Sequence, residues 1–166
     1  MADANLTPER LREFLDYDLH TGIFTRRISH GTAKAGDVAG WVEPHGYIKI
    51  SIAGRKYYAH RCAVLFVTGK WPTECVDHLD GNRANNSFKN LRCVDHKTNL
   101  QNLRVARSDN KTGTLGVCFN VGAGKYMAEC KGDDGKRRYL GLFESLSEAS
   151  AAYIRAKRLS QSGCTI

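Results

Sequence analysis

No apolar run in this sequence approaches the roughly 18 residues that a membrane-spanning helix needs. The chain also lacks an N-terminal charged segment followed by an apolar one, the pattern of a secretory signal. We therefore expect a soluble protein of the cytoplasm, with no membrane partner.

The six cysteines include no Cys-x-x-Cys pair. Closely paired cysteines are the usual sign of a structural zinc site, so we expect no such site here. In a cytoplasmic protein the six side chains are expected to be reduced thiols.

Acidic residues are scarce relative to basic ones: 17 Asp and Glu stand against 25 Lys and Arg, giving a net charge of +8. The excess is larger after residue 103, where 11 basic minus 6 acidic residues leave +5, than before it, where 14 minus 11 leave +3. No single amphipathic basic helix dominates, as it would in a protein that binds membrane surfaces. The charge suits a polyanionic partner such as nucleic acid.

The chain is long enough for one large domain or two small ones, with 166 residues of which 42% are apolar. A polar and charged stretch follows residue 102, and Lys111-Thr-Gly-Thr-Leu-Gly116 starts a different pattern. We predict a first region over 1–103, a linker over 104–110 and a second domain over 111–166.

The local patterns predict helices and antiparallel strands in both regions, an α+β fold. Thr7 as N-cap and Pro8 in the first turn predict a helix over 6–15. Strict alternation over 46–52 predicts a half-buried strand, and a short apolar helix is expected over 60–67.

In the second region, 115–119, 125–131 and 136–142 predict three short strands separated by glycine-rich turns. Ser145-Leu-Ser-Glu148 is a capping box, which predicts a helix that continues to Gly163.

The stretch 74–99 concentrates acid, imidazole and amide groups. Asp77 and His78 close a predicted strand, Asn90 opens a second one, and Asn99 falls about one turn inside the helix that follows. Hydrolysis of a phosphodiester needs a base to make the nucleophile and a cation to neutralise charge on the phosphoryl oxygens. A histidine can supply the first, and carboxylate and amide oxygens can hold the second, since Mg²⁺ often takes only one or two protein ligands.

Each of these residues also has an ordinary explanation when it is taken alone. Asp77 and Asn90 could be turn or capping residues, and Asn99 could be an exposed helix amide. The joint spacing, with Asn90 twelve positions after His78 and Asn99 nine further on, favours a catalytic site.

This spacing, with Val76-Asp77-His78 and Asn90-Leu91-Arg92 around it, resembles the ββα-metal motif of HNH nucleases, above all the homing endonucleases of phages and introns. The resemblance implies that His78 is the general base. It also implies that Asn90 is a structural residue that braces the loop or orients the imidazole. A divalent ion, Mg²⁺ or alternatively Mn²⁺, would lie between Asp77 and Asn99.

The preceding elements resemble the leader of many phage endonucleases, which places a leader over 1–59 and the ββα-metal core over about 60–103. His60 and Arg61 resemble a recurrent His-Arg pair of that family, and for His60 a packing contact and a phosphate contact both stay open. Asn82, Asn85 and Asn86 are interpreted as loop scaffolding.

The second domain resembles the AP2 DNA-binding domain in Gly116-Val117, in Tyr139-Leu-Gly-Leu-Phe143 and in Glu148-Ala149 with Ala152-Tyr153. Members of that family lay their sheet in the major groove. The alternative is that the matching strand positions are solvated strand ends, and Tyr126 stands where the family usually has tryptophan. The residues implied as DNA contacts are Lys125, Tyr126, Arg137 and Arg138.

These features predict a metal-dependent endonuclease that acts on double-stranded DNA in a bacterial host, is site-specific, and nicks one strand as a monomer. Two other functions stay open. One is a DNA-binding regulator whose nuclease residues no longer act, and the other is an RNA-binding or RNA-processing protein.

Overall fold

The structure of the chain, a computed structural model, describes residues 6–166. It divides into two compact units, Met1–Asp95 and His96–Ile166. The first unit contains α1 (Pro8–Phe14), β1 (Leu15–Tyr17), β2 (Phe24–Arg26), β3 (Trp41–Val42), β4 (Ile48–Ile52), β5 (Arg55–Tyr58), α2 (Ala59–Thr68), β6 (Cys75–His78), a 3₁₀ turn (Phe88–Asn90) and β7 (Leu91–Val94). The second contains α3 (His96–Gln101), β8 (Val117–Asn120), β9 (Lys125–Lys131), β10 (Arg137–Phe143) and α4 (Leu146–Ser160).

The predicted elements of the first unit are present at nearly the predicted positions. Thr7 caps α1 by accepting a hydrogen bond from the backbone N–H of Arg10, at 3.2 Å. The alternating strand is β4, which pairs antiparallel with β5 on one side and with β3 on the other. Its isoleucines Ile50 and Ile52 point into the core.

The core of the first unit forms where α2 packs with α1 and with the sheet of β3, β4 and β5. Leu11, Ile50, Cys62 and Leu65 are fully buried there. Burial of each such aliphatic side chain stabilises the unit by about 1.5–3 kcal/mol. This packing fixes the start of α2, and with it His60, next to the hairpin of β6 and β7.

The second unit is a three-stranded antiparallel sheet in the order β10-β9-β8, with α4 packed against one face. Its core contains Val117, Ala128, Cys130, Ala149 and Tyr153. The predicted capping box is present at Ser145 and Glu148. Gly116 is required at the start of β8, because a Cβ there would lie 2.0 Å from the Tyr153 ring.

By its packing contacts, α3 belongs to the second unit. The sequence had predicted the boundary between the two regions after residue 103, beyond α3. Gln101, at the end of α3, explains this grouping. Its side chain donates to Asp133 at 2.5 Å and accepts from the backbone N–H of Gly163 at 2.7 Å. These partners are distant in sequence, so the sequence alone gave no sign of them.

Among residues 6–166, no helix is both long enough and apolar enough to cross a membrane.

Candidate active site

The hairpin of β6 and β7 carries the candidate catalytic residues at its open loop. Its register pairs Asp77 with Arg92 and His78 with Leu91. The two strands are joined by the loop 79–90, which begins with a turn in which the Gly81 N–H donates to the His78 carbonyl at 2.9 Å. Since neighbouring strand residues point to opposite faces, Asp77 and His78 have different surroundings.

His78 is buried, with 3% of the residue exposed. Its Nε2 lies 3.1 Å from Oδ1 of Asn86. The Asn86 amide is oriented by its Nδ2, which donates to the carbonyl of Ala84 at 3.3 Å. The oxygen therefore faces the imidazole and is placed to accept from an Nε2–H, which is the tautomer in which Nδ1 is the basic nitrogen of the neutral ring.

The leader segment fixes the position of Asn86. The Tyr17 hydroxyl donates to the Asn86 carbonyl at 2.7 Å, and the N–H of Phe88 donates to the Leu19 carbonyl at 3.0 Å. Gly22 packs directly on the peptide bond between Asn86 and Ser87. The loop that orients the imidazole is thus held by residues far away in sequence.

Asn90 braces the loop rather than the imidazole. Its Nδ2 donates to Asp80 Oδ1 at 2.9 Å and to the Asn85 carbonyl at 2.8 Å. In return, its Oδ1 accepts from the Asp80 N–H at 3.0 Å. These hydrogen bonds correspond to the first of the two roles that the HNH resemblance left open for Asn90, whereas the residue in contact with the imidazole is Asn86.

Asp80 lies at the centre of the same hydrogen-bond network. Asn85 donates to its Oδ2 at 2.7 Å, and the Asn82 N–H donates to its Oδ1 at 2.8 Å. Burial by itself raises the pKa of Asp80, but the hydrogen bonds from Asn85, Asn90 and Asn82 outweigh that effect and lower it. The carboxylate is therefore ionised and keeps the loop closed. Asn82 and Asn85 are loop scaffolding, as expected, whereas Asn86 is not scaffolding alone.

Aromatic rings pack around the imidazole of His78. Tyr47 lies at 6.0 Å and His60 at 5.3 Å between ring centroids. The guanidinium of Arg83 lies 4.8 Å from the Tyr47 ring centre. Nothing in the sequence spacing indicated that Tyr47 and Arg83 belong to the site, because the folding of β4 and of the loop brings them there.

Burial is the main reason that the pKa of His78 is lowered from its ordinary value. The hydrogen bond to Asn86 and the negative charges of Asp80 and Asp77 act in the opposite direction, and Arg83 adds to the lowering. The ring is consequently neutral at pH 7, which is the state that a general base requires.

Asp77 forms an ion pair with Arg92 across the hairpin. Both Nε and Nη2 of Arg92 contact Oδ2 of Asp77, at 2.9 and 2.8 Å. Register alone explains the pair, since the two residues are directly opposite. A cation at Asp77 would share this carboxylate with the guanidinium.

The donor chemistry of the predicted metal ligands suits a hard divalent cation, because Asp77 offers carboxylate and Asn99 amide oxygen. Asn99 lies on α3, which belongs to the second unit. Within residues 6–166, no cluster of three or more His, Cys, Asp and Glu side chains is arranged to hold a metal.

His60 and Arg61 lie in the first turn of α2 and have structural contacts. His60 is 7% exposed and stacks on Tyr58 at 5.4 Å between ring centroids. Arg61 Nη2 donates to the Pro72 carbonyl at 2.7 Å, in the segment that leads into β6. For His60, the geometry corresponds to the packing contact rather than the phosphate contact.

The four predicted DNA contacts of the second unit do not share one face of the sheet. Arg137 is opposite Lys131, on the face away from α4, whereas Arg138 is opposite buried Cys130. Tyr126 packs against the core on the α4 side, so the neighbouring Lys125 points to the other face.

Each cation among these four has an acidic partner: Lys125 pairs with Glu144 at 2.7 Å, Arg137 with Glu129 at 3.7 Å and Arg138 with Asp134 at 3.4 Å. Register brings one further candidate to the outer face. Tyr139, opposite Glu129 and 61% exposed, lies on the same face as Arg137.

Comparison with known proteins gives two matches. Residues 57–101 match the family model described as HNH endonuclease. The chain is also similar to the solved structure entitled "DNA binding and cleavage by the HNH homing endonuclease I-HmuI", at 21% identity and a TM-score of 0.42, over 90% of this chain and 88% of that one. No curated protein matches the chain. The family match covers the end of β5, all of α2, the β6–β7 hairpin and α3, and so overlaps the segment in which the sequence placed the ββα-metal core.

Proposed function

We propose that the protein is a metal-dependent DNA endonuclease of the HNH type. The observation that carries the proposal is the arrangement of His78, a buried neutral imidazole whose Nε2 is held by Asn86 and whose Nδ1 is the basic nitrogen. The match of residues 57–101 to the HNH endonuclease family supports the same reaction class. The net charge of +8 suits DNA as the substrate.

In the proposed reaction, Nδ1 of His78 takes a proton from a water molecule. The water oxygen bonds to phosphorus in line with the departing 3′ oxygen, and the phosphorus bond to that oxygen breaks. Asn86 keeps the ring in the required tautomer, because its Oδ1 can only accept a hydrogen bond. Since 3% of His78 is exposed, a phosphate reaches the imidazole only after the residues over it move.

Asp77 and Asn99 are the residues that would hold the divalent ion, Mg²⁺ or Mn²⁺. When bound, such an ion neutralises charge on the phosphoryl and leaving oxygens. Arg92 orients the Asp77 carboxylate through its paired hydrogen bonds.

The second unit would bind the DNA on which the first unit acts. The outer face of its sheet, away from α4, carries Lys125, Lys131, Arg137 and Tyr139, and this mixture of cations and an aromatic ring suits a groove of duplex DNA. An AP2-like mode of binding is part of the proposal. One HNH site per chain is expected to nick a single strand as a monomer.

Incubation of the purified protein with supercoiled plasmid and Mg²⁺, with EDTA in the control, tests the activity. We expect open-circular plasmid that depends on the metal. Plasmid that stays supercoiled while the protein still retards it in a gel would favour the alternative, a DNA-binding regulator without catalysis.

A further inference from the structure

We propose that the second unit has a task besides binding DNA: it holds α3 in place, and with it Asn99, one of the two predicted metal ligands. Gln101 is the main positioning residue in this role, and the segment 161–166, which follows α4, supplies one of its partners. The consequence for metal binding rests on the proposed function, whereas the hold on α3 does not.

The helix α3 is too short to be stable by itself. It has six residues, His96–Gln101, and isolated helices shorter than about 12–15 residues are marginal in water. The position of Asn99 therefore depends on the tertiary contacts of this helix and of the residues just after it. Those contacts come from the turn between β9 and β10, from α4 and from the segment 161–166.

Gln101, the last residue of α3, is buried and uses both ends of its amide. Its Nε2 donates to Oδ1 of Asp133 at 2.5 Å, and its Oε1 accepts from the Gly163 N–H at 2.7 Å. Asp133 is itself fixed, because its N–H donates to the Ser160 carbonyl at 3.0 Å and its side chain accepts from the Ser162 N–H at 3.3 Å. Since a primary amide both donates and accepts, this one side chain connects α3 to the β9–β10 turn and to the segment 161–166.

Gly163 lies directly against α3 and is buried there. A Cβ at this position would be 2.6 Å from the Thr98 carbonyl oxygen, 2.7 Å from Gln101 Oε1 and 2.8 Å from Thr98 Cγ2. A side chain therefore cannot be added unless α3 or the segment 161–166 moves. Because Thr98 immediately precedes Asn99, this contact reaches the part of the helix that carries the predicted ligand.

Two further contacts fix the chain just beyond α3. Lys157 of α4 is fully buried, and its Nζ donates to the Leu103 carbonyl at 2.6 Å. Arg104 donates to the Thr165 carbonyl at 2.9 Å and to the Thr165 hydroxyl at 2.8 Å. The second unit thus holds the chain from Thr98 to Arg104.

These contacts decide where the chain can be divided. The partners of Gln101, Leu103 and Arg104 named above all come after residue 130. Division at the boundary predicted after residue 103 would leave Asn99 on a six-residue helix without them. We therefore expect metal binding, as well as DNA binding, to depend on the second unit.

The test compares two changes that loosen α3 with two matched controls. Gln101→Met removes both hydrogen bonds at similar size. Its control is Lys97→Met, because Lys97 is an exposed residue of the same helix and Gln, Lys and Met have similar helix propensities. Gly163→Ala introduces the close contacts with α3. Its control is Gly122→Ala: neither glycine has a positive φ, and the nearest atom to a Cβ on Gly122 is 3.6 Å away.

The first readout needs neither metal nor catalysis. Hydrogen exchange of the DNA-free protein, followed by mass spectrometry, reports the protection of residues 96–103, while β9 reports whether the second unit is folded. Exchange in 96–103 should be about tenfold faster in Gln101→Met and Gly163→Ala, with β9 unchanged and both controls like wild type. Wild-type exchange of 96–103 in these two variants, or an equal loss of protection in β9, would overturn a specific hold on α3.

The second readout is the Mg²⁺ concentration that gives half-maximal plasmid nicking. Because a displaced ligand weakens metal binding, this concentration should rise about tenfold in Gln101→Met and Gly163→Ala, while the rate at saturating Mg²⁺ stays within about threefold of wild type. The two controls should keep the wild-type Mg²⁺ dependence. Faster exchange of α3 with an unchanged Mg²⁺ dependence would overturn the link to Asn99. If wild type does not nick at all, the proposed function fails, and hydrogen exchange still decides whether the second unit holds α3.

Discussion

Gly22 lies against the peptide bond that follows Asn86: a Cβ on Gly22 would be 2.2 Å from the carbonyl carbon of Asn86 and 2.2 Å from the nitrogen of Ser87. The glycine also has a positive φ of 76°. This contact joins the leader to the loop that orients the proposed general base. A side chain cannot be accommodated there unless the loop moves.

We therefore expect Gly22→Ala to displace Asn86 and to reduce plasmid nicking much more than it reduces DNA affinity. Gly54→Ala is the matched control, because Gly54 has a similar φ of +78° but nothing within 4 Å of the added Cβ. Gly54→Ala introduces only backbone strain, which destabilises the protein by about 1 kcal/mol or more. Equal losses of activity and stability in the two variants would mean that the close contact with Asn86 is unimportant.

Replacement of the proposed base, His78→Ala, should lower the rate of nicking by about 10²–10⁴, the usual contribution of general-base catalysis. DNA affinity should remain near that of wild type, since the imidazole is buried. Single-turnover kinetics and gel-retardation assays measure the two quantities. Wild-type activity in His78→Ala would remove this residue from the mechanism.

Asn86→Leu keeps the approximate size of the side chain but removes the acceptor for the Nε2–H of His78. We expect a reduced kcat with little change in KM, because the ring loses its preferred tautomer. Asn82→Leu is the control: Asn82 is an exposed amide of the same loop, and its side chain accepts from the Ala84 N–H at 3.1 Å. A larger loss in the control than in Asn86→Leu would contradict the assignment of Asn86.

The stability of the protein should fall in acid in a way that depends on His60. Burial, followed by repulsion from His78 and Arg61, lowers the pKa of His60 to about 3. Unfolding releases the ring to its ordinary pKa of about 6.5. Below that pH the unfolded chain binds a proton that the folded chain does not bind, so stability decreases until the pH reaches about 3.

For a single histidine, the loss between pH 8 and pH 5 is about 2 kcal/mol. His60→Phe should remove this component, and urea unfolding of both proteins at the two pH values measures the difference. His78, whose pKa is lowered too, contributes in the same direction and remains in the variant. An identical pH dependence in wild type and His60→Phe would show that the His60 ring is not excluded from solvent.

Arg137 and Arg138 should differ in their effect on DNA binding, because they lie on opposite faces of β10. Arg137→Ala should reduce the slope of log affinity against log salt by about 0.9 if the side chain contacts a phosphate. If it reads a base, the cost should be about 1–3 kcal/mol at one position of the target. Arg138→Ala, on the α4 side, is the control and should change neither. A larger effect on DNA binding from Arg138→Ala than from Arg137→Ala would place the DNA-binding surface elsewhere.

Most of the secondary structure of this protein is specified by local signals in its sequence. Caps, turns and alternation specify α1, β4, the three strands of the second unit and α4, because these signals depend on residues within a few positions of one another. The hairpin with Asp77, His78 and Asn90 follows from the same kind of signal. The resemblance of that stretch to HNH nucleases agrees with the family match over residues 57–101.

Which side chains contact one another depends instead on tertiary packing. Asn86 rather than Asn90 contacts His78, because Tyr17 and Gly22 hold the loop at Asn86. The strand registers place Arg92 on Asp77 and separate Arg137 from Arg138. Tyr47 and His60 reach the imidazole only through the packing of β4 and α2. Contacts between residues so far apart in the chain depend on the packing of whole elements, and a single sequence carries no local signal for them.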